Sequence, residues 1–324
     1  MTIQCSPETA GSVDRVIEPI ALGLPARQTG LDLRLPSPVT EFRDDRLDRA
    51  GIRLYLKRDD LISTEITGNK WRKLHHNLAA ARSLGHDTLL TFGGAYSSHI
   101  RAVATAGHYF GFATIGVIRG EEHLPLNASL SHAVERGMRL TYLDRTSYRR
   151  KSDPDVVSGL EARFGRFYLL PEGGSNALAV RGCAEIPGEI AASFDVICCP
   201  CGTGGTLAGI AAGLKPGQRA IGFSVLKGGR FLDPEVEALQ RSAVGAWTQN
   251  WSVDYDFHFG GYARRTAVLT DFIADFEQRH DLTLDWVYVA KMMFGVMTLA
   301  GNKEFEPGTS LVAVITGSAV PELR

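Results

Sequence analysis

Two lysines three residues apart, Lys70 and Lys73 in "ITGNKWRKL", and a loop of glycines and threonines, "CGTGGT" from Cys201 to Thr206, stand out as residues suited to chemistry. An amine used as a nucleophile must shed its proton, and nearby positive charge or loss of water lowers its pKa. Lys70 falls at the junction of a loop and an expected helix, whose start supplies the positive field. Lys73 lies one turn later and could meet an anion, with Trp71 and Leu74 packing behind the pair. A lone lysine is more often ordinary solvated surface, and it is the anion loop that shifts the balance. In the loop, Gly202, Gly204 and Gly205 let backbone N–H groups turn inward, and the helix start that follows adds unpaired N–H groups and about half a positive charge. Thr203 and Thr206 can add hydroxyl donors. That is a cradle for one small phosphate. No Lys-Ser/Thr follows the last glycine, so it is not a nucleotide P-loop, and the glycine spacing is not that of a dinucleotide fold. By itself the loop is also compatible with a plain Gly-rich strand-to-helix turn.

Other residues give weaker signals. Ser97 and Ser98 open a helix after a Gly-Gly strand end, which makes either a second N-terminal anion site, suited to a carboxylate, or a simple cap. His99 could hydrogen-bond nearby or be a structural histidine. The cysteines of "CCPC" do not make a metal centre: strand alternation sends Cys198 and Cys199 to opposite faces, and no histidine or second pair completes four ligands. They read as small buried hydrophobes, and His75-His76 as a helix face. No metal is expected.

The elements that must position these residues alternate. "IRLYLKRDD" reads as a strand, and apolar residues at Leu74, Leu78 and Ala81 recur at helical spacing. "GHDTLLTFGG", "FATIGVIRG" and "RLTYLD" read as strands, with "SSHIRAVATAGHYF" and "NASLSHAVERG" as helices between them. "DVICCP", "RAIGFSVLKGG" and "TSLVAVITGSAV" are further strands, with helices in "LAVRGCAEIPGEIAASF", "TLAGIAAGL" and "RRTAVLTDFIADFEQRH". The first thirty residues or so are expected to form a loose arm or short helix. Such alternation predicts an α/β protein with parallel sheets. The 324 residues suit two domains or one large one, and their core needs neither disulfide nor metal. No clean linker is present, so two lobes that exchange chain are expected. With 35 basic and 36 acidic residues well mixed, the chain suits a small-molecule partner; a nucleic acid or a membrane is not expected. No apolar run reaches a membrane span, and no secretory signal opens the chain. The five cysteines read as reduced thiols of a cytoplasmic protein.

A reactive lysine beside a one-phosphate cradle on an α/β scaffold points to pyridoxal 5'-phosphate. "KRDDL" and "TGNKWRKL", "TFGGAYSSHIRAVA", "PEGGSN", "CGTGGTLAGI" and "VYVAKMMFGV", in that order from about Leu35 onward, resemble the family of 1-aminocyclopropane-1-carboxylate deaminase and D-cysteine desulfhydrase. The resemblance implies the two-lobed tryptophan synthase β-like fold (PLP fold type II), each lobe a mainly parallel twisted sheet flanked by helices. Residues 1–72 plus 172–324 would form the large cofactor-binding domain and 73–171 the small one. It implies that Lys70 carries the cofactor, that Lys73 joins the phosphate site with Gly202 to Thr206, that Ser97 handles the substrate carboxylate or a proton, and that Tyr262 and Tyr288 face the substrate over the ring. It also implies a homodimer.

The chain departs from the family around the ring. Ser98 stands where an Asn often contacts the phenolic oxygen, Val289-Ala290 replaces the Glu-Gly of the deaminase, and Gly317-Ser318 replaces a Gly-Gly. Val289 cannot keep the ring nitrogen protonated, whereas Thr316 could donate to it. The expected activity is β-elimination from a small amino acid, as in D-cysteine desulfhydrase, giving a keto acid and ammonia. Cyclopropane ring opening, β-replacement and a cofactor-binding protein with little turnover are the alternatives.

Overall fold

The computed structural model describes residues 30–317; the N-terminal arm and Ser318 lie outside them. The chain enters through β1 (Val39–Phe42), α1 (Asp45–Ala50) and β2 (Arg53–Lys57), then reaches α2 (Lys70–Ser83). It continues through β3 (Thr88–Gly93), α3 (Ser98–Phe110), β4 (Ala113–Arg119), α4 (Ala128–Glu135), β5 (Met138–Leu143), α5 (Arg145–Arg149), α6 (Pro154–Phe164) and β6 (Tyr168–Leu170). The last third holds α7 (Ala177–Ala184), β7 (Val196–Cys201), α8 (Gly205–Gly213), β8 (Arg219–Ser224), α9 (Leu232–Val244), β9 (Trp251–Asp254), α10 (Ala267–His280), α11 (Val289–Gly301) and β10 (Ser310–Val314).

The strands form two sheets. One has six strands in the order β1-β2-β10-β7-β8-β9, and the other four in the order β5-β4-β3-β6. Among the described residues only the β1–β2 pair is antiparallel; every other pairing is parallel. The four-stranded sheet draws on one continuous stretch of chain, whereas the six-stranded sheet takes strands from both sides of it. Helix α2 belongs to both. It starts at the edge of the larger sheet and packs Trp71, Leu74, Leu78 and Ala81 against the core of the smaller.

Each sheet is covered on both faces, the arrangement parallel sheets require. In the larger sheet Leu311 and Ala313 enter one cluster, while Val312 and Val314 enter the opposite one. The same alternation puts Cys198 in the first cluster and Cys199 in the second, as the strand pattern predicted. Five helices, α1, α5, α6, α9 and α11, had no assignment from sequence. Helix α11 buries Val289, Ala290, Met292, Met293 and Val296; a helix apolar nearly all round leaves no periodic signal. Helix α9 has a readable stripe, Leu232, Val236, Leu239 and Ala243.

The start of α2 is held by a buried ionic cluster. Arg72, 1 % exposed, gives Nε and Nη2 to the Asp59 carboxylate at 2.7 and 2.8 Å and Nη1 and Nη2 to Glu189 at 2.8 Å each. Lys57 Nζ donates to the same Glu189 at 2.5 Å and to the Ser37 carbonyl at 2.8 Å, and Ser37 Oγ donates to Asp59 at 2.7 Å. Burial opposes the guanidinium charge, and the Glu189 and Asp59 carboxylates overrule it, raising the Arg72 pKa. The cluster ties the end of β2, helix α2 and the turn after α7 together. Removing one partner of such a cluster strands buried charge. Arg72→Met should therefore lower unfolding free energy by about 3–5 kcal/mol, read as an earlier urea midpoint; a change below about 1 kcal/mol would show that the cluster is not what holds α2.

Candidate active site

Helix α2 begins with a turn that only glycine permits. Gly68 has φ +63°, and a Cβ there would lie 1.8 Å from the Thr316 carbonyl oxygen. The Asn69 N–H donates to that oxygen at 3.0 Å, so the turn sits on the C-terminal end of β10. Asn69 then links two features that lie 137 residues apart in sequence. Its Oδ1 accepts from Lys70 Nζ at 3.1 Å, and its Nδ2 donates to Thr206 Oγ1 at 2.8 Å. Lys70 is half-buried as a residue, and its amine is enclosed. Burial, and next the positive charge of Lys73, lower its pKa from 10.5 to about 7. Lys73, on the same helix face, donates to the Gly173 carbonyl and to Ser175 Oγ, both at 3.1 Å. Ser175 Oγ lies 2.7 Å from Thr203 Oγ1. Both lysines thus converge on the glycine loop.

The loop from Gly202 to Thr206 joins β7 to α8, and its glycines are required by close approach. Gly204 has φ +74°; a Cβ on Gly205 would lie 2.6 Å from Ser175 Oγ and 3.4 Å from Lys73 Nζ, and one on Gly202 would lie 3.1 Å from the Tyr288 ring. The first N–H groups of α8 have no partners within the helix, and they open where Lys73, Thr203 and Ser175 gather. Tyr288 packs on Gly202 and meets Tyr262 edge-on, with ring centroids 5.8 Å apart and planes at 71°. Tyr262 is 42 % exposed. Burial, then the neighbouring Tyr262, push the Tyr288 hydroxyl well above the usual 10.0, so it stays protonated. Asp285 positions it: the carboxylate accepts the N–H groups of Val287, Tyr288 and Val289 at 3.2, 2.9 and 3.4 Å.

The smaller sheet supplies the facing wall. Ser97 caps α3, its Oγ accepting the Ile100 N–H at 3.4 Å, and Ser98 is the first helical residue, half-buried. Thr91 Oγ1 donates to the Leu170 carbonyl at 3.0 Å and lies 3.0 Å from His99 Nε2. His99 Nε2 therefore carries the hydrogen, and the buried Nδ1 has no partner. Burial, then the charges of Lys70 and Lys73, hold this imidazole neutral.

The structure thus brings Lys70, Lys73, Gly202 to Thr206, Tyr262 and Tyr288 to one cleft, with Ser97 and Ser98 at the end of β3 beside His99. Thr316 contributes its carbonyl to the Gly68-Asn69 turn. Val289 lies fully buried in the core of the larger sheet. Asn69, Ser175 and Asp285 were not singled out from sequence. The first two lie inside quoted motifs, "TGNK" and "PEGGSN"; Asp285 carries the signal of an Asp ahead of a helix start. His75 and His76, expected as a helix face, are buried and share Glu185 Oε1 at 3.2 and 3.1 Å, closing α2 on α7.

Residues 33–317 match the family model described as pyridoxal-phosphate dependent enzyme. A Pyrococcus furiosus protein named putative 1-aminocyclopropane-1-carboxylate deaminase is 31 % identical over 281 residues, covering 82 % of this chain and 85 % of that one. The D-cysteine desulfhydrase of Salmonella newport is 28 % identical over 307 residues, covering 88 % and 92 %. A crystal structure of an ACC deaminase homologue superposes with a TM-score of 0.77 at 28 % identity, covering 88 % of this chain and 90 % of that one.

The lysine pair yields a pH signature in cofactor-free protein. Lys70 is neutral above about pH 7, so its labelling by an amine-directed reagent, followed by peptide mass analysis, should rise through a midpoint near 7. Lys73→Met removes the like charge and should move that midpoint upward. A wild-type midpoint near 10.5, the ordinary value, would contradict the enclosed amine.

Proposed function

This chain belongs to the family of pyridoxal-phosphate dependent enzymes, and on that premise we propose that it is a lyase of the D-cysteine desulfhydrase kind, with Lys70 as the residue that carries the cofactor and moves the substrate proton. The observation that carries the reading is the enclosed Lys70 amine, with a pKa of about 7, joined through Asn69 to the glycine loop. The residues fit the cofactor. Side chains on the loop glycines would fill the space beside Lys73 and Tyr288, and the donors there, Lys73, Thr203, Thr206 and the N–H groups of α8, suit one phosphate. When bound, pyridoxal phosphate supplies a ring that accepts the electrons of a bond broken at the substrate α carbon.

The chain's own groups do the rest. Lys70 is half neutral near pH 7, the condition for a general base. Ser97, at the N-terminus of α3, binds the substrate carboxylate, and Ser98 beside it is assigned to the cofactor. Tyr288 keeps its proton and can give it to a departing group, while Tyr262 closes the cleft from the solvent side. Thr316 is assigned to the ring nitrogen. The relatives' names admit both elimination and ring opening. Val289 favours elimination, because the position that is Glu in the resembling deaminase holds an apolar side chain turned into the core.

The reading further includes a small amino-acid substrate, a homodimer, a cytoplasmic setting and the division into 1–72 with 172–324 and 73–171. The described cysteines, Cys183, Cys198, Cys199 and Cys201, are all free and buried, in keeping with a reducing compartment. No described helix is long and apolar enough to cross a membrane.

The test is a turnover screen of holoenzyme with D- and L-cysteine, β-chloroalanine and 1-aminocyclopropane-1-carboxylate. Equal amounts of pyruvate, sulfide and ammonia from D-cysteine are expected; 2-oxobutyrate from the cyclopropane alone would replace elimination by ring opening, and a new amino acid on adding a thiol would indicate replacement. Tyr288→Phe should lower kcat about 100-fold with cofactor content unchanged. Parallel loss of cofactor would make Tyr288 part of the binding scaffold.

A further inference from the structure

The C-terminal ends of the strands in the smaller sheet do more than present Ser97. A cavity of about 350 Å³ opens there, lined by Arg119, Arg145, Tyr148, Arg149, Lys151 and Glu172. Arg119 is the last residue of β4, Arg145 and Arg149 begin and end α5 directly after β5, and Glu172 follows β6. All four strands are parallel, so this cavity and the Ser97–His99 segment after β3 lie along one edge of the sheet. That edge is where open parallel sheets bind ligands.

The charge balance is one-sided. Four cationic side chains face a single carboxylate, and Glu172 is already engaged: it accepts from Tyr148 Oη at 3.0 Å and pairs with Lys151 Nζ at 3.1 Å. Tyr148 is itself buried and set edge-on against Phe92, so this wall is fixed. Among the described residues, Arg119, Arg145 and Arg149 have no carboxylate partner. Three guanidinium groups gathered at one cavity repel one another and create a strongly positive potential. Their planar forks match the oxygens of phosphate or sulfonate.

The cavity adjoins the proposed catalytic cleft. Glu172 is followed by Gly173, whose carbonyl accepts from Lys73, and the charges of both Glu172 and Arg119 act on the Tyr262 hydroxyl. Ser97, the proposed carboxylate site, opens the helix after β3 at the same edge of the sheet as the cavity.

We propose that Arg119, Arg145 and Arg149 form a subsite for an anionic group on the substrate's β carbon, which makes the preferred substrate an amino acid bearing a phosphate ester or a sulfonate there. The proposal rests on the elimination reading above and names the substrate class for it. The α proton passes to Lys70 Nζ, and the bond from Cβ to oxygen or sulfur breaks with both electrons leaving on phosphate or sulfite. Water converts the released enamine to a keto acid and ammonia, and no oxidant or reductant is consumed. The arginines hold the leaving anion as its charge grows, an interaction cysteine cannot draw on.

The experiment compares holoenzyme with its Arg145→Gln/Arg149→Gln variant on O-phosphoserine, cysteine sulfonic acid and β-chloroalanine, in both configurations. Binding of 2-amino-3-phosphonopropionate, whose carbon–phosphorus bond stays intact, is measured by calorimetry. One of the two anionic substrates should exceed β-chloroalanine in kcat/KM at least tenfold, which also tells phosphate from sulfonate. In the variant that ratio, and the phosphonate affinity, should each fall at least tenfold. If β-chloroalanine is consumed but neither anionic substrate is preferred, and the phosphonate binds no better than alanine, the subsite is wrong and elimination stands. If the phosphonate binds through the arginines while no β-substituted amino acid yields a keto acid, the subsite stands and the elimination reading falls. Absence of both overturns both.

Discussion

Everything at the mouth of α2 depends on Arg72 being held between two carboxylates. Residues three apart share a helix face, and a residue two positions away points to the other side. Pinning Arg72 to Asp59 and Glu189 therefore fixes the rotation of α2 about its axis. With that rotation set, Lys70 and Lys73 can only face the glycine loop. A buried ion cluster is a poor source of net stability, because desolvation offsets most of the attraction. Its worth here is positional: no apolar contact would specify the angle of the helix as sharply as two bidentate pairs.

The lysines are thereby forced into a situation that neither would choose in water. Two ammonium groups on adjacent turns, enclosed near helix N-termini, raise the free energy of the charged state. One outlet is deprotonation, which the lowered pKa of Lys70 expresses. The other is an anion, for which Lys73, Thr203 and the start of α8 are arranged. Burial, and next the same field, keeps His99 neutral. The starts of α2 and α8 meet through Asn69, Lys73 and Ser175, while α3 begins beside His99. On the proposed reading, these starts give the family's cofactor and an amino-acid carboxylate separate electrostatic addresses.

Within this frame the two sheets divide the labour. The six-stranded sheet carries the lysine turn on β10 and the glycine loop on β7, while Tyr288 reaches them from α11. The four-stranded sheet brings Ser97 and the arginine-lined cavity along its own C-terminal edge. Strand order is what makes this possible. β10, last in sequence, pairs between β2 and β7, so the Thr316 carbonyl lands beneath Gly68 and next to the loop after β7.

Much of this was legible in the residues alone. The strand–helix alternation, the opposite facing of Cys198 and Cys199, the glycine loop ahead of a small-residue helix and the lysine pair at a helix mouth are local features, dictated by φ/ψ preference and by side-chain period. Helix α11 escaped because an apolar sequence buried on all sides has no period to read. The role of Asn69 as the bridge between Lys70 and Thr206 and the contact of Lys73 with Ser175 needed the tertiary structure. So did the convergence of Arg119, Arg145 and Arg149. Sequence sets which groups a segment offers and which way its own backbone turns. Which groups from segments over a hundred residues apart meet within hydrogen-bond range is decided by strand order and helix rotation, and those follow from long-range packing that no local pattern encodes.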